Sequence, residues 1–217
     1  MLHSFKRSIA WLATWALAAV AGCAAPASTP SPDYDALALS MIRTSFSAQG
    51  QATLDRLEQD PLQHTCSSGT PPAADVASRL EAHELAAVKP PPDGRYLGDW
   101  REGEKLAQDG RGMTWSDPAG APNGGNCYNC HELSKAEIAY GTLGPSLHNY
   151  GNLRGVRDPS SAAAVPIVQY TWGKLYDAKA YNACSIMPRF GSAHILTTKQ
   201  MQDLMALLLD PQSPVNK

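Results

Sequence analysis

Five consecutive residues, Cys127-Tyr128-Asn129-Cys130-His131, carry the clearest chemistry in this 217-residue sequence. Two thiols with two residues between them, followed directly by an imidazole, form a C-x-x-C-H motif. In that motif the cysteines make thioethers to the haem vinyl groups and the histidine ligates the iron. The macrocycle itself dictates the spacing. A zinc site would want a second Cys/His pair at ligand spacing, and a thioredoxin-like site a βαβ setting; the sequence offers neither. The expected cofactor is one covalent haem c, held by Cys127 and Cys130 with His131 on the iron.

A sixth iron ligand must come from elsewhere, and Met187, Met201, Met205, His148, His194 and Cys184 all follow the motif. Met201 and Met205 fall on an apolar helical stripe, where methionine usually packs a core. Met187 instead precedes Pro188 in an irregular segment, where the proline fixes the backbone that presents the thioether. Met187 is the preferred ligand, and His/Met ligation raises the potential. With His148 or His194 in its place, Met187 would fill a gap and the potential would be lower. The carbonyl of Pro145, in Leu143-Gly144-Pro145-Ser146-Leu147, is placed to accept the free ring N–H of His131 and orient it.

The elements that position these residues read as helices. Asp99 with Glu102 three residues on suggests a capping box opening a helix to about Gln108, ended by Gly110 and Gly112. A Gly-, Pro-, Asp- and Asn-rich loop then leads to Cys127. A helix is expected around residues 160–176, interrupted or displaced by Pro166. Thr197 and Gln200 form a second box before Met201, Leu204, Met205 and Leu208, whose spacing is that of a buried helical stripe, and Asp210-Pro211 ends it. Upstream, residues 34–64 read as two amphipathic helices and Ala73–Lys89 as a third, closed by Pro90-Pro91-Pro92. His64 and His83 lie in those segments as surface or packing residues. No segment alternates as a strand, so the fold class is all-α.

Composition narrows the class of protein. Hydrophobic residues make up 43% and charged residues 18%, as in a folded domain and not a disordered chain. The balance of 18 Lys+Arg against 20 Asp+Glu lacks the basic field that nucleic-acid binding needs. Residues 1–22 read as a signal peptide, with Lys6 and Arg7 ahead of an apolar run too short to span a bilayer. Val20-Ala21-Gly22-Cys23 resembles the bacterial lipobox, which would make Cys23 a lipidated first residue; ordinary cleavage after Ala21 would leave it a free thiol. Export places the protein in the periplasm, with a lipid anchor if Cys23 is modified. Residues 23–33 form a Pro/Ala-rich tether.

Helix, C-x-x-C-H, Gly-Pro-x-Leu, Met-Pro and terminal helix, in that order, are similar to the class I cytochrome c fold. In that fold a glycine lets the first helix cross the last closely, and Gly103 is the matching position. Many members carry an aromatic four residues later, whereas this chain has Ala107, which implies a differently packed crossing. The resemblance divides the chain into a helical extension at 34–95, a cytochrome domain at 96–210 and a tail at 211–217.

Three stretches go beyond the generic fold: Tyr96-Leu97-Gly98-Asp99-Trp100 through Gly112, Tyr181-Asn182-Ala183-Cys184 through Gly191, and Leu207-Leu208-Leu209-Asp210-Pro211 to Lys217. Together they resemble the SoxX family, monohaem subunits of the SoxAX complex in bacterial thiosulfate oxidation. The resemblance implies a SoxA partner, and a complex that acts as an L-cysteine S-thiosulfotransferase on a cysteine of the carrier SoxYZ. It also implies that SoxA forms the bond while this chain passes electrons on, with another cytochrome c as the acceptor. The alternatives are a free-standing carrier cytochrome and a haem enzyme with a displaceable sixth ligand. The long loop 110–126 would suit a partner-binding feature.

Two thiols, Cys66 and Cys184, remain unassigned in an exported chain, where disulfides persist. They are expected to pair; the alternative makes Cys184 a redox-active thiol or occasional iron ligand.

Overall fold

The computed structural model describes residues 31–217, so the signal peptide, most of the tether and Cys23 lie outside the described residues. The chain divides after Ser45. The first unit is seen through α1 (Tyr34–Ser45), a helix without a buried residue. The division falls within the stretch that reads as one helical extension. The second unit runs from Phe46 to Lys217 and holds every candidate site residue but Cys23. No strand occurs among the described residues, and none of their helices is long and apolar enough to cross a membrane.

Within the second unit the order is α2 (Pro61–Cys66), α3 (Ala74–Ala87), α4 (Trp100–Gln108), α5 (Tyr150–Leu153), α6 (Val165–Tyr176) and α7 (Thr198–Leu209). Residues 54–57, read from sequence as part of a second amphipathic helix, make only one 3-10 turn. Gly50 precedes it at φ 54°, and a Cβ there would sit 2.1 Å from the Asp117 carbonyl oxygen. That close approach ties residues 49–56 to the long loop: Gln51 N–H donates to Asp117, and Arg56 donates to the Met113 carbonyl at 2.7 Å.

α7 is the centre of the core. Thr197 and Gln200 close its first turn as a reciprocal capping box, and Met201 through Leu209 are all buried. The apolar stripe does not account for Gln202 and Asp203, which are polar and buried because they staple α7 to the chain entering α4. Gln202 donates to Asp93 and to the Arg95 carbonyl, and its own carbonyl accepts from Gly98 N–H at 2.8 Å. Asp203 accepts from Asp99 N–H at 2.7 Å and from Lys199. That bond explains why Asp99 is a simple N-cap and the expected reciprocal box does not form. Its side chain caps Arg101 N–H, but its backbone N–H is already used, and Glu102 pairs with Lys105 instead.

α4 crosses α7 at Gly103, where a Cβ would lie 2.2 Å from the Asp203 carbonyl oxygen, and Ala107 is fully buried. Pro166 sits in the first turn of α6 and starts the helix rather than breaking it, because a missing N–H costs nothing there. The segment 211–217 is not a loose end. Ser213, Val215 and Asn216 are buried, and Asn216 Nδ2 donates to the carbonyls of Leu208 and Asp210 at the end of α7. Those carbonyls would otherwise be unsatisfied helix-end acceptors.

Candidate functional site

The C-x-x-C-H motif begins with Asn126 in the left-handed region, after which Cys127–Asn129 form a 3-10 turn. Both Cys130 N–H and His131 N–H donate to the Cys127 carbonyl, so the turn places two sulfurs and the imidazole on one compact scaffold. Tyr128 anchors the scaffold by packing into the core.

The segment 141–147 runs alongside. Gly141, Gly144 and Leu147 donate N–H to the carbonyls of Tyr128, Cys130 and Glu132, and Ser146 Oγ donates to the Glu132 carboxylate at 2.6 Å. This ladder sets the imidazole. His131 Nδ1 lies 2.7 Å from the Pro145 carbonyl oxygen. A carbonyl can only accept, so Nδ1 carries the proton and Nε2 presents its lone pair. The ring rests on Gly144, where any Cβ would fall 2.1 Å from Cε1. Sequence reasoning quoted Gly144 only as part of a motif; its role as the seat of the ring required the tertiary contact.

Cys127 and Cys130 are free thiols, in contrast to Cys66 and Cys184, which are joined in a disulfide across 118 residues with 5.4 Å between Cα atoms. Burial pushes the Cys127 thiol up to about 12, so its sulfur is neutral at ordinary pH. Among the described residues no group of three or more His, Cys, Asp or Glu side chains gathers to hold a bare metal ion.

The candidates for a sixth ligand fall in different places. Met201 and Met205 are core residues on α7. His194 is exposed at a turn with φ 53°. His148 is half-buried beside the ladder, and its Nδ1 is buried without a partner. Met187 is half-buried and packs against the same core cluster as Cys127 and Leu147. Leu143 and Ile186, chain neighbours of Gly144 and Met187, are 74% and 79% exposed although apolar. Asp60 and Glu81 hold the Met187 segment through Arg189 and the Ala183 N–H, pairings that sequence spacing could not show because each joins residues more than 100 positions apart.

The residues present fit a covalent haem. Two unpaired sulfurs lie at the required spacing on half-buried residues, and the imidazole has one nitrogen tied down. The glycine cradle beneath the ring would be filled by any larger residue.

The described residues form an all-helical protein in which one C-x-x-C-H scaffold packs onto the core around α7. No family model matches the chain. A protein of Aquifex aeolicus (strain VF5), named an uncharacterized lipoprotein, is 37% identical over 165 residues, covering 73% of each chain. The chain belongs to the family of that lipoprotein.

Proposed function

We propose that this chain is a haem c electron-transfer subunit of the SoxX type, with a class I cytochrome c fold and a helical extension. The observation that carries this reading is the C-x-x-C-H scaffold whose histidine is oriented by Pro145 and seated on Gly144. A covalent haem supplies reversible one-electron chemistry at iron. Cys127 and Cys130 would hold it, and His131 and Met187 would ligate the iron. Such an iron suits outer-sphere electron transfer better than substrate binding. The exposed apolar side chains of Leu143 and Ile186, next in the chain to Gly144 and Met187, favour this reading, since an apolar group bound beside those segments would cover them.

The reaction served is the oxidative joining of thiosulfate to a cysteine thiol of SoxYZ, which yields a cysteine S-thiosulfonate, one proton and two electrons. One iron carries one electron, so the reading requires a second redox centre in a SoxA partner, where the bond forms. A downstream cytochrome c receives the electrons. Lipidation of Cys23 would hold the subunit at the membrane face of the periplasm; the name of the Aquifex relative favours that anchor.

Two measurements test the proposal. Expression with c-type cytochrome maturation should give haem that survives denaturation, and lose it in Cys127→Ser/Cys130→Ser. Purification from the native host should bring down a haem-bearing partner. Haem-free protein would overturn the cofactor, and a haem-bearing monomer would favour the free carrier.

A further inference from the structure

The segment carrying Met187 has almost no hydrogen bonds of its own to the rest of the fold. Among the described residues, the backbone of 184–188 bonds only within 182–188: Cys184 and Ser185 N–H to Asn182, and Met187 N–H to Ser185 Oγ. Pro188 has no N–H to give. Something other than secondary structure must hold the Met187 thioether in place.

The fastenings come from the extension and bracket Met187 on both sides. Cys184, three residues before it, is bonded to Cys66, the last residue of α2. Arg189, two residues after it, donates to Asp60 Oδ2 at 2.8 Å, and Asp60 is the N-cap of the same helix. The N–H of Ala183 adds a third tie, to Glu81 of α3 at 3.0 Å. α2 has six residues, so its two ends stand about 9 Å apart, a span that five residues of irregular chain can match. Its capping box, in which Asp60 accepts from Gln63 N–H while Gln63 accepts from Asp60 N–H, fixes that length.

We propose that α2 is a splint for the axial methionine, with Asp60 and Cys66 as positioning residues that act through Arg189 and Cys184. The inference rests on Met187 being the iron ligand. Both cysteines of the disulfide are only half-buried. Reduction by a dithiol breaks the Cys66–Cys184 bond with two electrons and two protons, leaving two thiols and an oxidised dithiol. One end of the splint is then free, and the axial bond becomes sensitive to the thiol state of the compartment.

The test is titration of the ferric holoprotein with imidazole, which competes with Met187 for iron, followed through the charge-transfer band of the Met–iron bond. Half-saturation should fall about tenfold in Asp60→Asn and in Cys66→Ser/Cys184→Ser, because the ligated state is less populated without the splint. Asp60→Glu should recover most of the wild-type value. In a Met187→Ala background the same changes should have no further effect. Wild-type holoprotein treated with a dithiol, alkylated and reoxidised gives the same comparison without refolding. Half-saturation within twofold of wild type, with the band absent only in Met187→Ala, would overturn the splint and leave the ligand assignment standing. A band that persists in Met187→Ala overturns the ligand assignment and the splint with it.

Discussion

The smallest decisive feature is the seat of one ring. His131 is held from two directions, by the Pro145 carbonyl at Nδ1 and by the bare Cα of Gly144 under its face. Gly144 has an ordinary φ, so its requirement is space and not backbone freedom. Gly144→Ala should therefore force the imidazole off its position, since the added Cβ would stand 2.1 Å from Cε1. The expected outcome is a several-fold fall in covalent haem per mole of protein, with helix content retained, read by absorbance and circular dichroism. Unchanged loading would mean that the ring finds a second seat. The thiols, imidazole and Pro145 were legible because all lie within 19 residues of one another and their chemistry depends on local spacing. The glycine seat was not, because spacing does not report which face of a ring meets which backbone atom.

At the scale of elements, the α4–α7 crossing carries the domain. Gly103 lets α4 come within contact of the Asp203 carbonyl, and no side-chain rotation can relieve a Cβ pressed on backbone. Gly103→Ala should cost about 1–3 kcal/mol or more through overpacking, measured by denaturant unfolding. Thr197→Ala removes one half of the reciprocal box on α7 and should cost about 1 kcal/mol in the same assay. Both helices were legible from capping residues and apolar period, and α7 begins and ends within a residue of its expected bounds. The buried Gln202 and Asp203 were not legible. A helix surrounded on several sides buries its polar residues too, and their partners at Asp93, Arg95 and Asp99 lie over 100 positions upstream.

For the whole molecule, the Cys66–Cys184 bond closes a loop spanning 118 positions. On chain-entropy grounds it should contribute about 4–5 kcal/mol, so reduction should lower the unfolding midpoint substantially. Acid should loosen the same region. Burial alone would raise the Asp60 carboxyl, but the Gln63 N–H and Arg189, with Lys179 nearby, hold it below the usual 3.8. A carboxyl lowered on folding contributes fully above its unfolded value and loses that contribution as pH falls through the folded one. Asp60→Asn should therefore flatten part of the fall in thermal midpoint below about pH 4, and an unaltered acid limb would assign that fall to other carboxylates.

Local order in the chain was enough to determine the all-helical class and to set up haem attachment at C-x-x-C-H and Met187 as ligand as expectations. These depend on spacings of two to four residues, which backbone geometry converts directly into shared faces and shared rings. The exported setting of the free and paired thiols also made the Cys66–Cys184 disulfide an expectation, which the fold shows formed. Only the tertiary structure decided that residues 211–217 complete the core, that Gly144 seats the imidazole and that α2 lies along the Met187 segment. Each of those depends on pairing residues far apart in sequence, where the chain's spacing carries no record of which partner folding will choose.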